Sequence, residues 1–373
     1  MKVLFITRKW PPALGGMELY SSELASALDA MPGVELKVLA LKGTAKGFAP
    51  GLPAILAFLV RAIWYLARNS RRYDVVHFGD FVLFPLAIFD RWICCSHLRF
   101  MTVYGLDLTF GRKTGLLPSI YRRFLSFCAS RASAVDGYIA ISKFTGDLAR
   151  SVGLAPVTVV PLGIRMESFD EGGERSGETI ENEPPFVFYL GRVVPRKGAL
   201  WFAKEVLPRF GGMLKFVVAG RIYSAAEGKA LERLPDVQVL GQIPHQDALS
   251  YRKGAVAILM PNIPVMNNAD VEGFGLTALE APAAGSVLIA SRLEGIEDAV
   301  IDGVTGLLAR PGDADDWEEK LRDVLHWDST RRAEFVRIAH SALKAHYSWG
   351  QVARRTVDLY YEALVEKQAC RYE

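Results

Sequence analysis

The stretch MESFDEGGERSGETIENEPP (166–185) decides how this chain is divided. It is acidic, rich in glycine and serine, closes on two prolines and carries almost no apolar residue, so it reads as a linker. Before it, KVLFIT (2–7), LKVLAL (36–41), DVVHF (74–78), FMTV (100–103), GYIAI (137–141) and VTVV (157–160) have the length and apolarity of strands. After it the rhythm restarts with FVFYLG (186–191), LKFVVAG (214–220), VQVLG (237–241), VAILM (256–260) and SVLIA (286–290). Helical patterns lie between the strands on both sides, the mark of parallel sheets covered by helices.

A chain of 373 residues exceeds the size at which one core stops growing. The expected organisation is therefore two doubly wound, Rossmann-like α/β domains, 1–165 and 186–347, joined by 166–185. A C-terminal helix, 348–373, is expected to pack across both. Ligands of such sheets bind beyond the carboxyl ends of the strands, so the site is expected in a cleft between the domains.

Composition, 50% hydrophobic and 23% charged, is that of a globular protein. The net charge of +3 hides an asymmetry. Up to Arg165 there are 20 basic and 10 acidic residues, and beyond it 24 and 31, so the first part carries +10 and the rest −7. A basic first half points to an anionic partner, such as a phosphorylated acceptor or a phospholipid surface; a solvated surface with accidental bias is the plain alternative. In GLPAILAFLVRAIWYLARNSRR (51–72), Arg61 interrupts the apolar run, which falls short of a transmembrane span. A helix lying in the membrane interface and an ordinary helix packed on a sheet both fit it. The N-terminus has too short an apolar run for a signal peptide. The four cysteines lack zinc or redox-pair spacing, so reduced thiols in a cytoplasmic protein are expected.

Three segments carry candidate chemistry. Gly15 and Gly16 follow the first strand and open a helix from about Met17, where free amides attract anions; a tight turn is the structural alternative. In GRVVPRKG (191–198), Arg192, Arg196 and Lys197 leave a strand beside a helix start at Gly198, an arrangement that a diphosphate would satisfy; a solvated basic loop is the plain alternative. In EGFGLTALE (272–280), a helix from near Gly275 or Leu276 would aim the amides of Phe274, Gly275 and Leu276 at a ligand. Glu272 and Glu280 then stand where carboxylates could accept hydrogen bonds from sugar and ribose hydroxyls. Alternatively, Glu272 complements the helix dipole and Glu280 faces solvent.

In this order and spacing, the Gly15-Gly16 loop, GRVVPRKG and the E-x7-E element resemble the retaining GT-B glycosyltransferases of family 4, over essentially the whole chain. The resemblance implies the GT-B fold and transfer of a sugar from a nucleotide diphosphate sugar to a sugar or lipid-linked acceptor, with retention and no metal or other cofactor. It implies that Arg192 and Lys197 hold the diphosphate and stabilise its growing charge, with Glu272 on the sugar and Glu280 on the ribose. Residues 237–243, ending at Ile243, would read the base.

Three departures stand out. Tyr104 precedes Gly105 where the family often has histidine, PLGIR (161–165) replaces PNGVD, and Arg221 stands where a small or acidic residue is frequent and offers a further phosphate contact. Tyr104, Asp107 and Ser142 are candidate acceptor or sugar contacts, although capping a helix is the simpler role for Ser142. The six histidines show no metal-binding spacing, and His77 could face the ligand or be structural. A hydrolase or epimerase of nucleotide sugars, and a silent nucleotide-binding scaffold, remain the competing functions. Nothing resembles a nucleic-acid-binding module.

Overall fold

The computed structural model of the chain describes residues 1–13, 15–44, 47–170, 184–265 and 270–369. The chain forms two compact units: Met1–Gly163 with Asn268–Phe274 and Trp349–Glu373, and Ile164–Asn267 with Gly275–Ser348.

The first unit contains strands β1 (Lys2–Trp10), β2 (Glu35–Lys42), β3 (Val75–Phe78), β4 (Leu98–Val103), β5 (Gly137–Ala140) and β6 (Val157–Val159). They form one parallel sheet in the order β2-β1-β3-β4-β5-β6. Its helices are α1 (Gly16–Asp29), α2 (Leu52–Asn69), α3 (Phe84–Ile93), α4 (Gly105–Thr109), α5 (Leu116–Ala129) and α6 (Lys143–Ser151). Strands β3, β4 and β5 are buried at every residue, as expected of parallel strands covered on both faces. Along β1 the side chains alternate: Leu4 and Ile6 join a core with Phe58 and Leu66 of α2, Phe84 of α3 and Leu125 of α5, whereas Phe5 meets the His77 ring edge-on at 5.0 Å on the other face. Helices α2, α3 and α5 thus cover one face of the sheet together. Arg99 of β4 is fully buried, a charge inside an apolar strand, and its Nε lies 2.7 Å from the equally buried Asp90 carboxylate.

The second unit contains α7 (Glu167–Asp170), β7 (Phe186–Leu190), α8 (Ala199–Glu205), β8 (Lys215–Ala219), α9 (Ala225–Leu231), β9 (Val237–Gly241), α10 (His245–Gly254) and β10 (Ile258–Met260). It continues with α11 (Thr277–Ala283), β11 (Leu288–Ser291), α12 (Ile296–Ala299), β12 (Leu307–Ala309), α13 (Ala314–Leu325) and α14 (Ser329–His346). The sheet is again parallel, in the order β12-β11-β10-β7-β8-β9.

All eleven expected strands are present, and β12 is an addition: its three residues, LLA, are too few to register as a periodic run. The units meet two residues before the expected boundary, at Gly163/Ile164. Of the expected linker, 167–170 is helical and 171–183 lies outside the described residues. The C-terminal helix, α15 (Trp349–Ala369), expected to pack across both domains, belongs to the first unit. Tyr360 anchors it there, its ring tilted at 54° against Phe100 with centroids 4.9 Å apart and its hydroxyl sharing a 2.5 Å hydrogen bond with Nδ1 of His77.

Candidate functional site

In the second unit the chain changes the direction in which it builds the sheet between β7 and β10, which are neighbours although β8 and β9 intervene in sequence. Ligands of open α/β sheets bind beyond the carboxyl ends of the strands at such a point. Arg192, the turn Pro195–Lys197 and Gly198 follow β7 here. Gly198 caps α8 with φ +71°, and a Cβ on it would stand 1.7 Å from the Pro261 carbonyl oxygen, so only glycine lets the loops after β7 and β10 touch. The Ile263 amide donates to the Arg196 carbonyl (3.0 Å) and completes the seam.

The loop after β8 joins the same surface. The Val193 amide donates to the Arg221 carbonyl at 3.0 Å, and the Tyr223 and Ser224 amides donate back to the Val193 carbonyl at 3.2 Å. One ring therefore serves two cations: the guanidiniums of Arg192 and Arg221 lie 5.9 and 5.0 Å from the centre of Tyr223. Lys197 is half-buried beside them in sequence, while the Arg196 side chain is only 7% exposed and turned into the protein. Of the three expected cations after β7, Arg196 is thus the one withdrawn from solvent. The edge strand β9 runs beside β8, and the Gly241 carbonyl accepts from the Gly220 amide at 2.7 Å; Ile243, two residues beyond the strand, is half-buried.

Helix α11 starts at Thr277 after Gly275 takes φ +88°. Glu280 lies in its first turn, where a start at Gly275 would have put it more than a turn inside. Its carboxylate is neither a cap nor a free surface charge: Arg252 of α10 donates from Nη2 to Oε2 at 2.5 Å. The Arg252 side chain is 3% exposed, that of Glu280 26%, and the guanidinium also lies 5.8 Å from the Phe169 ring. Arg252 was missed in the sequence, though a signal exists: it shares a helical face with Ala248 and Leu249, both buried.

Glu272, Gly273 and Phe274 belong to the first unit, so the two glutamates of the E-x7-E element fall in different units. Glu272 is half-buried and Phe274 buried. This segment packs on the starts of α4 and α6. A Cβ on Gly105 would be 3.0 Å from Val271, and the Thr145 hydroxyl donates to the Gly273 carbonyl at 3.3 Å. Glu272 is thereby brought to the elements that carry Tyr104 and Ser142.

Those two side chains are already engaged. Tyr104 is 4% exposed and donates to the Gly79 carbonyl at 3.2 Å; burial raises its phenol well above the ordinary value. Ser142 is fully buried and caps α6, accepting from the Thr145 amide at 3.0 Å. Asp107 accepts from the Tyr104 amide at 3.2 Å, and burial, followed by the nearby Asp80 charge, pushes its carboxyl up to about 7. All three expected sugar or acceptor contacts are thus buried and hydrogen-bonded within the first unit. His77 is structural too: Nε2 meets the Thr102 hydroxyl at 2.8 Å, and burial lowers its pKa to about 3.

The start of α1 differs from expectation in a further way. Gly15 precedes it with φ 167°, and a Cβ there would lie 2.4 Å from Oε2 of Glu18, whose carboxylate is paired with Lys9 at 3.3 Å. An acidic side chain from the helix's own first turn already occupies the ground before the amides. A phosphate at Gly15 and Gly16 would meet that carboxylate beside the amides. Among the described residues no group of three or more His, Cys, Asp or Glu is placed to hold a metal ion.

Residues 14–168 match the family model described as Glycosyltransferase Family 4, and residues 184–326 that described as Glycosyl transferases group 1. A D-inositol 3-phosphate glycosyltransferase of Corynebacterium urealyticum is 29% identical over 55% of this chain and 51% of its own length. Another, from Pseudarthrobacter chlorophenolicus, is 25% identical over 94% of this chain and 91% of its own length. That protein apart, the chain spans about half the length of the curated relatives it matches first. Among solved structures, the sucrose-phosphate synthase of Thermosynechococcus elongatus superposes with a TM-score of 0.70 over 98% of this chain and 99% of its own, at 19% identity.

Proposed function

The chain belongs to the family 4 glycosyltransferases and has the GT-B fold, and from that premise we propose that it moves a sugar from a nucleotide diphosphate sugar to an acceptor hydroxyl. The observation that carries the donor assignment is the pair Arg192 and Arg221, held against one ring where β7 and β8 end, at the reversal point of the sheet. With Lys197 they supply fixed positive charge for a diphosphate leaving group, the task that a bound metal performs elsewhere. In this reading the transfer needs no cofactor.

Glu280, aimed by Arg252, takes the ribose hydroxyls, the β9 edge through Ile243 takes the base, and Glu272 takes hydroxyls of the donor sugar. The bond broken joins the anomeric carbon to the diphosphate oxygen, and the bond formed joins that carbon to the acceptor oxygen. The acceptor proton leaves with the departing phosphate. Retention of configuration belongs to the same proposal, as does a sugar or lipid-linked acceptor in glycan biosynthesis, which the phosphatidylinositol monomannoside in the name of a further relative supports. The free thiols Cys94, Cys95 and Cys128 suit a cytoplasmic enzyme.

Donor consumption with and without acceptors tests the proposal. Consumption that needs an acceptor supports transfer. Acceptor-free release of the sugar would make the protein a hydrolase, rearrangement of the sugar an epimerase, and nucleotide binding with no turnover a scaffold.

A further inference from the structure

Helix α2 has two apolar stripes. Phe58, Ala62 and Leu66 are buried in the core of the first unit. On the opposite side Leu52, Leu56, Val60, Ile63 and Trp64 recur at helical spacing and are 68, 55, 68, 39 and 53% exposed. An amphipathic helix packed on a sheet should turn polar residues outward; this one does not. Contrary to the expectation that Arg61 leaves the apolar run short of a span, Leu52–Arg72 is by length and composition enough to cross a membrane, with mean hydropathy 1.2, yet its inner stripe is committed to the sheet. That commitment fixes it lying flat rather than spanning.

The neighbouring helices of the same layer continue the surface. On α3, Trp92 is 83% exposed, and on α5, Leu116, Leu117 and Ile120 are 78, 71 and 53% exposed. Alongside α5 a cavity of about 580 Å³ has Leu108, Leu125 and Val152 in its lining together with Arg112 and Arg122.

Charge specifies what covers this face. From Leu36 to Val135 the sequence has fourteen Lys or Arg, four Asp and no Glu. Three of the aspartates, Asp80, Asp90 and Asp107, are buried, whereas Arg68, Arg71, Arg72, Arg112, Lys113 and Arg123 are exposed. Arg68 lies 4.3 Å from the centre of the exposed Trp64 ring, and Arg131 lies 4.2 Å from that of Phe127. Aromatic bodies, aliphatic side chains and cations on one surface match the boundary between acyl chains and anionic headgroups.

We propose that the outer face of α2, α3 and α5 docks on an anionic phospholipid bilayer, with the aliphatic side chains in the acyl boundary and the arginines among the phosphates. Flotation of the whole protein with phosphatidylcholine vesicles, with and without phosphatidylglycerol, tests this. Binding should require phosphatidylglycerol and weaken as salt is raised. Vesicles should also shift tryptophan emission to the blue, and a Trp64→Phe/Trp92→Phe variant should lose most of that shift. Each removed charge should weaken binding about fivefold, so Arg68→Gln/Arg123→Gln, which removes one exposed charge from α2 and one from α5, should bind about 25-fold less tightly. Leu56→Ser/Val60→Ser/Leu117→Ser, which changes exposed positions only, should float poorly while keeping the wild-type circular dichroism. Equal binding to neutral vesicles overturns the proposal, as does failure to bind charged ones. Light scattering that shows a dimer broken by the triple-serine variant, without vesicle binding, overturns it in favour of a second copy of the chain.

Discussion

Consider Arg252→Met beside Glu280→Gln. Arg252 is 3% exposed and reaches Glu280 at 2.5 Å, while a quarter of the Glu280 side chain remains open to solvent. Arg252 is thus placed to hold a carboxylate still for another hydrogen-bonding group. A hydrogen bond from a ribose hydroxyl to a charged acceptor contributes about 1.5–3 kcal/mol, so Glu280→Gln should weaken nucleoside diphosphate binding roughly ten- to a hundredfold. Arg252→Met leaves the carboxylate but frees its rotamers. Fixing a Glu side chain again costs about 1–2 kcal/mol, a loss of roughly five- to thirtyfold.

The double variant should bind no worse than Glu280→Gln, because Arg252 acts through that carboxylate. Thermal-shift screening selects the best nucleoside diphosphate, and calorimetry then compares it with its 2′,3′-dideoxy analogue. The wild type should discriminate strongly and both single variants weakly, with melting temperatures verifying that each is folded. If the wild type binds the dideoxy analogue equally well, Glu280 does not hold the ribose. If the two losses multiply in the double variant, Arg252 does not work through Glu280.

Glu272→Ala and Lys197→Ala should each abolish transfer while circular dichroism stays that of the wild type; full activity in both would remove them from the site. Gly198→Ala should destabilise the second unit by at least about 1–3 kcal/mol in urea titration, because the residue sits at φ +71° with the Pro261 carbonyl oxygen where its Cβ would go. The Asp107 carboxyl, raised to about 7 in the folded chain from 3.8, holds its proton in the folded state over a pH range in which the unfolded chain has lost it. Its contribution to stability is therefore present below about pH 4 and is lost as pH rises to about 7. Asp107→Asn should flatten that part of the stability profile, and an unchanged slope would refute the assignment.

Much of this protein was legible from local pattern. Parallel strands buried on both faces are largely apolar, so the runs 74–78 and 100–103 declare themselves despite His77 and Thr102, and a stretch such as 166–185 cannot join a core. The helix after Gly275 was legible for a similar reason, since a glycine with positive φ marks where the backbone turns into it. The three residues of β12 were not, because their strand character comes from pairing with β11 and not from their own periodicity.

What one side chain does to another distant in sequence required the tertiary structure. That Arg252 aims Glu280 depends on α10 and α11 being packed together. That Glu272 and Glu280, eight positions apart, belong to different units depends on where the chain leaves one sheet for the other. Glu18 standing before Gly15, and Asp107 and Ser142 turned inward as caps, are likewise matters of burial and charge geometry, which no residue carries alone. The sequence by itself determined two parallel sheets and the cationic and acidic motifs on which the proposed donor site rests, because periodicity and composition are local properties. Only the folded chain decided which of those residues are buried, exposed or paired, because these are relations between elements that the sequence keeps far apart.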